Sequence, residues 1–203
     1  MLKAAIIYIP GSGGSFLRRA LSLSNQSIFE NAFETKSSQE KFSLFNNWNE
    51  YDWKSAETLY RPLYRLNQQD FIDFEVSNLF LIDAWHPVEF TECDQSQRCW
   101  EKGAWPNLIM ISINRSFRPF IESNSGRKKY SVDWDKEQQA MTDIRAIYQD
   151  KIIDLDFTDM LNEQKFLRQI ESISFKLSLN LEINLASSLW QKWIDKSNRI
   201  WKK

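Results

Sequence analysis

Four short runs along the 203-residue chain have the pattern of strands that are buried on both faces. Runs of about four to eight mainly apolar residues, bounded by turn signals, are typical of strands inside a parallel sheet. The runs read AAIIYI at 4–9, NLFLID at 78–83, LIMISI at 108–113 and KIIDLDF at 151–157. We therefore predict four strands of a mainly parallel sheet.

Between these runs, apolar residues recur every three or four positions, as in helices with one buried face. The pattern predicts helices at 16–23, 116–123, 135–149, 166–177 and 185–200. It breaks after the second strand at Pro87, and it is weak in 25–77, where 55–66 is the clearest helical stretch. Strands that alternate with helices indicate a three-layer α/β/α fold. We expect one domain over 1–203, with 25–77 as a helical insertion or lid against the sheet.

Composition excludes several classes of protein. The net charge of −1 and the isoelectric point near 6.0 give no basic footprint for nucleic acid. No apolar run has the roughly 18 residues of a membrane span, and the short apolar N-terminus lacks a signal-peptide cleavage site, so a cytoplasmic location is expected. The two cysteines, Cys93 and Cys99, are too few for a zinc site and are expected to be free thiols.

Three of the five glycines stand within four residues, directly after the first predicted strand. Glycines in the first turn between strand and helix allow main-chain N–H groups to approach an anion, and the following helix adds its positive end. Gly11, Gly13 and Gly14, with the hydroxyls of Ser12 and Ser15, suit that purpose. We predict a phosphate-binding loop, with a simple tight turn as the alternative.

Two common phosphate-loop classes do not fit the sequence. The nucleoside triphosphatase loop needs a lysine after its last glycine, and Ser15 stands there. The dinucleotide fingerprint needs a third glycine where this chain has Phe16. An ATPase, a GTPase or a small kinase is therefore disfavoured.

The stretch PGSGGSFLRRAL resembles the 5′-phosphosulfate loop of the sulfotransferases, through Ser12, Gly13, Ser15, Phe16 and Leu17. These enzymes use 3′-phosphoadenosine 5′-phosphosulfate (PAPS) as donor and have a P-loop NTPase-like α/β fold. The resemblance implies that the donor's 5′ end is held by Gly11, Ser12, Gly13, Gly14, Ser15 and Phe16.

The second signature of the family is a strand followed by an arginine and, eight residues later, a serine that together hold the donor's 3′-phosphate. LIMISINRSFRPFIES resembles it, with Arg115 and Ser123 at that spacing and Arg118 as a possible supporting cation. KIIDLDFTDML is similar to a later strand and acidic segment. The resemblance covers about 4–24 and 107–180 and implies an acceptor-side role for 25–77.

The sequence departs from the family at Gly11, which stands where the family has a lysine or arginine. Candidate replacements are Arg18, Arg19, Lys3 and the basic cluster at 127–129. Arg18 and Arg19 are alternatively solvated helix residues, and the cluster is alternatively an ordinary surface loop.

His86 is the only histidine and follows the second predicted strand. Sulfuryl transfer to a hydroxyl needs a base, and histidine titrates in the right range. The alternative is a histidine packed beside Trp85 and Pro87, with Glu89 or Asp83 as the base.

Among the nine tryptophans, Trp48, Trp53 and Trp85 are candidates for acceptor contact, whereas Trp190 and Trp193 have the spacing of helix core positions.

Two functions from different classes follow. The first is a PAPS-dependent sulfotransferase that acts on a hydroxyl acceptor, with a sugar or glycan expected, and that needs no metal. The second is a catalytically silent module of the same fold that binds a nucleotide or phosphate.

Overall fold

The computed structural model describes residues 3–28, 36–46, 80–95, 107–119, 121 and 132–201. At 3, 28, 46, 80–85, 92–95, 196 and 198–201 it describes the backbone alone. The predicted helix at 55–66 and most of the predicted insertion at 25–77 lie outside the described residues.

Within these residues, five parallel strands form one sheet. The strands are β1 (Lys3–Ile7), β2 (Ser27–Ile28), β3 (Phe80–Trp85), β4 (Asn107–Ser112) and β5 (Ile152–Asp156), in the spatial order β2-β3-β1-β4-β5. The predicted mainly parallel sheet is confirmed. The sequence did not predict β2, because two residues show no periodicity.

The described helices cover both faces of the sheet. They are α1 (Gly14–Ser22), α2 (Ser38–Asn46), α3 (Pro87–Gln95), α4 (Trp134–Tyr148), α5 (Phe157–Met160), α6 (Glu163–Lys176) and α7 (Ile183–Trp201). Helix α3 shows that the break predicted at Pro87 was wrong: proline fits the first turn, where no intrahelical N–H bond is lost. The helix predicted at 116–123 begins instead as a 3-10 turn at Arg115–Phe117, and 118, 119 and 121 are helical.

Side chains of the central strand β1 and its extension alternate between two cores. Ala4, Ile6 and Tyr8 face α1, α6 and α7, whereas Ala5 and Ile7 face α3 and α4. This double burial explains why the strand reads as a continuous apolar run. It also completes the three-layer α/β/α architecture predicted from the sequence.

Parallel strands bring all their carboxyl ends to one edge of the sheet, here called the carboxyl edge. The glycine loop follows β1, His86 follows β3, and Arg115 follows β4 at this edge. The helices after β1 and β4 lie on opposite faces, which makes these neighbours a topological switch point, the usual ligand crevice of open α/β sheets. In the described part of the chain, no helix is long and apolar enough to cross a membrane.

Candidate functional site

The loop between β1 and α1 depends on two glycines with left-handed backbone. Gly11 has φ 96° and Gly13 has φ 85°. Between them, Ser12 is fully buried, and both its N–H and its hydroxyl donate to the carbonyl of Ile9, at 3.0 and 2.7 Å. Ser12 therefore stabilises the turn itself. The sequence predicted that its hydroxyl faces a ligand, but the structure directs this hydroxyl to the carbonyl of Ile9.

The first turn of α1 presents backbone N–H groups. Gly13 is the N-cap and provides no side-chain cap, and the first backbone bond of the helix runs from Leu17 N–H to Gly13 O at 2.9 Å. The N–H groups of Gly14, Ser15 and Phe16 precede that bond and have no intrahelical acceptor. Since this turn also carries no acidic side chain, the positive end of the helix dipole is uncompensated there. Such an arrangement suits a phosphate or phosphosulfate group.

Tyr8 occupies the space beside Gly14. A Cβ atom at position 14 would lie 2.0 Å from Cγ of Tyr8, so only glycine fits against this ring. The tyrosine is 8% exposed, and its hydroxyl lies 3.3 Å from Oγ of Ser15. The apolar pattern predicted Tyr8 only as a strand residue, so its place beside the loop was not predicted.

Trp193 and Met160 support the other side of the loop. A Cβ at Gly13 would lie 3.0 Å from Cζ2 of Trp193 and 3.1 Å from Cε of Met160. The indole stacks on Phe16, with ring centroids 4.3 Å apart and planes 3° from parallel. Phe16 is buried in the core, so its N–H, and not its ring, is available to a ligand. Helical spacing alone did not reveal that Trp193 reaches the loop.

His86 directly precedes α3 and lies beside Tyr8. Its carbonyl accepts the N–H of Phe90 at 2.9 Å, and its side chain is 28% exposed. The imidazole meets the Tyr8 ring edge to face, with centroids 5.1 Å apart, and its Nδ1 is 3.6 Å from Oε2 of the exposed Glu89. Burial lowers the pKa of His86, while the nearby carboxylate of Glu89 opposes this effect. A neutral imidazole at neutral pH is thereby favoured.

A buried carboxylate fixes the start of α3. Oε2 of Glu137, a residue of α4 that is 8% exposed, accepts the N–H of Val88 at 3.1 Å. A carboxylate at a helix N-terminus satisfies a free donor and complements the dipole. The bond anchors the turn that carries His86. Glu137 was not predicted because its partner is 49 residues away in sequence.

The turn after β4 presents Arg115 at the carboxyl edge. Asn114 caps this turn through its Oδ1, which accepts the N–H of Ser116 at 2.9 Å, and the Arg115 side chain is exposed. Ile121, further along this segment, lies beside Gly11, 3.6 Å from the place of a Cβ. Ser123 and the basic cluster at 127–129 lie outside the described residues. Arg118 pairs with Asp135 at 3.3 Å.

The candidates to replace the missing loop cation lie in different places. Lys3 starts β1, so seven residues of nearly extended chain, about 20 Å, separate it from the loop. Arg18 is 6% exposed and Arg19 is half-buried in the last turn of α1. The alternative of a solvated Arg18 is therefore wrong, and Lys3 is not a residue of the loop end of the sheet.

The remaining predicted residues contribute no described side chain. Asp83, Trp85 and Cys93 are described by backbone alone, and Trp48, Trp53 and Cys99 lie outside the described residues. Among the side chains that the structure describes, no group of three or more His, Cys, Asp or Glu residues is placed to hold a metal ion.

Comparison with known proteins supports the fold and not a family. No protein-family model matches the sequence, and no curated protein matches it. A solved structure that is similar is the sulfotransferase domain from the olefin synthase of Synechococcus PCC 7002, with a TM-score of 0.53 and 14% identity over 91% of this chain and 76% of that one. At this identity the likeness concerns the fold alone. The chain thus has an α/β, P-loop-like fold of the kind that this sulfotransferase domain has.

Proposed function

We propose that this protein is a sulfotransferase that moves a sulfuryl group from PAPS to a hydroxyl acceptor, with a sugar or glycan as the expected acceptor. The observation that carries the proposal is the glycine loop before the first turn of α1, which has no side-chain cap. His86 lies close to this loop, because its imidazole contacts the ring of Tyr8. The resemblance of the two sequence signatures and the shared fold support it.

In this proposal the N–H groups of Gly14, Ser15 and Phe16 bind the 5′-phosphosulfate. The hydroxyl of Ser15 adds a donor at the same end of the helix, and Gly11 and Gly13 give the loop its shape. Arg115 and Ser123 bind the 3′-phosphate, since a planar guanidinium donates two parallel hydrogen bonds to such a group. Backbone donors suit this purpose because they are fixed before the ligand arrives.

His86 acts as the general base. With Nδ1 directed to Glu89, Nε2 is the nitrogen that takes the proton of the acceptor hydroxyl. The acceptor oxygen forms a bond to sulfur while the bond from sulfur to the 5′-phosphate oxygen breaks. That oxygen keeps the electron pair and leaves as adenosine 3′,5′-bisphosphate. Glu89, 3.6 Å from Nδ1, stabilises the imidazolium that results.

Charge on the leaving phosphate is neutralised without a cation at residue 11. With φ at 96°, Gly11 has a backbone conformation that a lysine adopts only with strain. The proposal therefore assigns this task to the N-terminus of α1. The loss of one stabilising group typically costs about 3 kcal/mol of barrier, so turnover slower than that of a lysine-containing enzyme is expected.

A second candidate function rests on the same observation at Gly11. A silent module that binds a nucleotide or phosphate needs the loop and Arg115 but no leaving-group cation. The two functions differ in one result, because the module binds adenosine 3′,5′-bisphosphate and transfers no sulfuryl group.

The test is transfer of labelled sulfuryl from PAPS to a panel of monosaccharides and glycans. The native protein should label at least one acceptor, and His86→Gln should reduce the rate by about 10² to 10⁴. Arg115→Ala should raise the KM for PAPS, whereas Arg168→Ala, a matched change at an exposed arginine of α6, should leave it unchanged. Bisphosphate binding without labelling of any acceptor would favour the silent module.

A further inference from the structure

Tyr8 contacts both parts of the proposed site. Its ring lies against Gly14 on one side and meets the imidazole of His86 edge to face, at 5.1 Å and 77°. Its hydroxyl is 3.3 Å from Oγ of Ser15. We propose that Tyr8 is a positioning residue that sets the place of His86 relative to the phosphate loop. The inference rests on the proposed function, which makes His86 the base and the loop the donor site.

The ring of Tyr8 holds the imidazole from the sheet side. At 8% exposure the ring is fixed by the core around β1 and α1, so it is a rigid surface for His86. Among the described side chains, Tyr8, which directly follows β1, and Glu89 of α3 face His86, and Glu137 of α4 anchors the adjacent Val88 N–H. Only Tyr8 among them also touches the glycine loop. The ring therefore transmits the position of the loop to the base.

The hydroxyl of Tyr8 acts on the loop. A bond to Oγ of Ser15 selects one rotamer of that serine in the first turn of α1. The selected rotamer places the serine hydroxyl next to the N–H groups that the proposal assigns to the donor. Ring and hydroxyl thus have separable tasks, which two variants distinguish. Tyr8→Phe removes the hydroxyl alone, and Tyr8→Leu removes the ring as well.

Because His86 is the only histidine, its imidazole signals in an NMR spectrum are unambiguous. In Tyr8→Leu, both imidazole C–H resonances should move and the imidazole pKa should rise towards its ordinary value, since burial decreases. In Tyr8→Phe, these resonances should stay close to their native positions. Tyr148→Phe, the same change at a buried tyrosine of α4 in the other core, is the matched control.

The loop is tested by calorimetric titration with adenosine 3′,5′-bisphosphate. Tyr8→Phe should weaken binding about fivefold, the effect of one hydrogen bond of about 1 kcal/mol. Ser15→Ala in the Tyr8→Phe background should then add less than Ser15→Ala alone, because the two hydroxyls act as a pair. In turnover assays Tyr8→Leu should lower kcat about tenfold or more, with a smaller change in the KM for PAPS.

Unchanged His86 resonances in Tyr8→Leu would overturn the inference. If Tyr8→Leu does not fold, a nuclear Overhauser contact between the Tyr8 and His86 rings of the native protein decides: its presence supports the inference and its absence overturns it. Failure of the proposed function is a different result, namely no bisphosphate binding by the native protein. The ring contact is measured in the free protein, so the two failures remain distinguishable.

Discussion

The indole of Trp193 in α7 stacks on Phe16 of α1 at 4.3 Å and lies against Gly13, the N-cap of the same helix. Helix α7 therefore packs against the glycine loop and supports it. Trp193→Ala should destabilise the protein by about 3 kcal/mol. This value is the lower end of the usual range for a large aromatic side chain, because the indole is only partly buried. Urea unfolding measures this change, and Trp193→Phe, which retains a stacked ring, should lose clearly less. Equal losses in the two variants would contradict the stacking role.

The glycines of the loop should differ in their tolerance of alanine. At Gly14 a Cβ would lie 2.0 to 2.5 Å from three atoms of the buried Tyr8 ring, so Gly14→Ala should cost about 3 kcal/mol or more. At Gly11 the nearest atom would be 3.6 Å away, and only the strain of a positive φ remains, about 1 to 2 kcal/mol. Thermal or urea unfolding of the two variants provides the comparison. A larger loss for Gly11→Ala would show that the Tyr8 ring does not pack against Gly14.

The lowered pKa of His86 determines how both activity and stability respond to acid. The rate should fall as the pH drops through that pKa, because protonated His86 cannot accept a proton. The folded protein also binds fewer protons at His86 than the unfolded chain between the lowered pKa and the ordinary value of 6.5. Stability should therefore decrease as the pH falls through this window. His86→Gln should lack this contribution, which the difference between the two unfolding profiles isolates.

A control at Glu89 separates the two effects on His86. Glu89 raises the pKa of His86, so Glu89→Gln should lower that pKa further and move the acid limb of the rate to lower pH. An acid limb that stays in place would show that another group controls the rate.

Lys41 of α2 provides a stability test away from the site. The side chain is fully buried, and its ammonium donates to the carbonyl of Ser27 at 2.6 Å, to Oγ of Ser27 at 3.0 Å and to the carbonyl of Ser24. Burial lowers the pKa of Lys41 to about 8. The folded state then binds fewer protons than the unfolded state between about pH 8 and the ordinary value of 10.5, so this group makes stability rise with pH across that range.

Lys41→Met should abolish that rise and, at neutral pH, should cost roughly 1 to 3 kcal/mol, because two buried carbonyls lose their donor. Unfolding free energies at pH 7 and pH 10 for both proteins test the prediction. If the free energy of unfolding of Lys41→Met still rises with pH, other groups must cause that rise.

The sequence was sufficient for the fold where an element had a regular apolar pattern. The strands β1, β4 and β5 and the helices α4, α6 and α7 appear within a few residues of their predicted bounds, because their burial on one or both faces produces a clear period. Strand β2 was missed because its two residues are too short for a pattern. Helix α3 was missed because Pro87 was interpreted as a break, although it stands at the first position of the helix.

The candidate site was predictable where the chain carries a local sequence signature. The carboxyl edge is identified by three glycines within four residues, by an arginine after a strand and by a single histidine. Tyr8, Glu137 and Trp193 were not predictable because each acts through a contact with a distant part of the chain. The inward orientation of Ser12 was not predictable for a related reason, because the sequence does not show the direction of a serine side chain in a loop.

Titration of the purified protein with adenosine 3′,5′-bisphosphate by calorimetry, with ATP and GTP as controls, tests the central claim most directly. The proposal predicts micromolar binding that is selective for the bisphosphate. It also predicts a loss of at least about tenfold in Arg115→Ala, as expected for charge-assisted hydrogen bonds. No binding at millimolar concentration, or equal binding of all three nucleotides, would contradict the assignment of the glycine loop and Arg115 to a PAPS site.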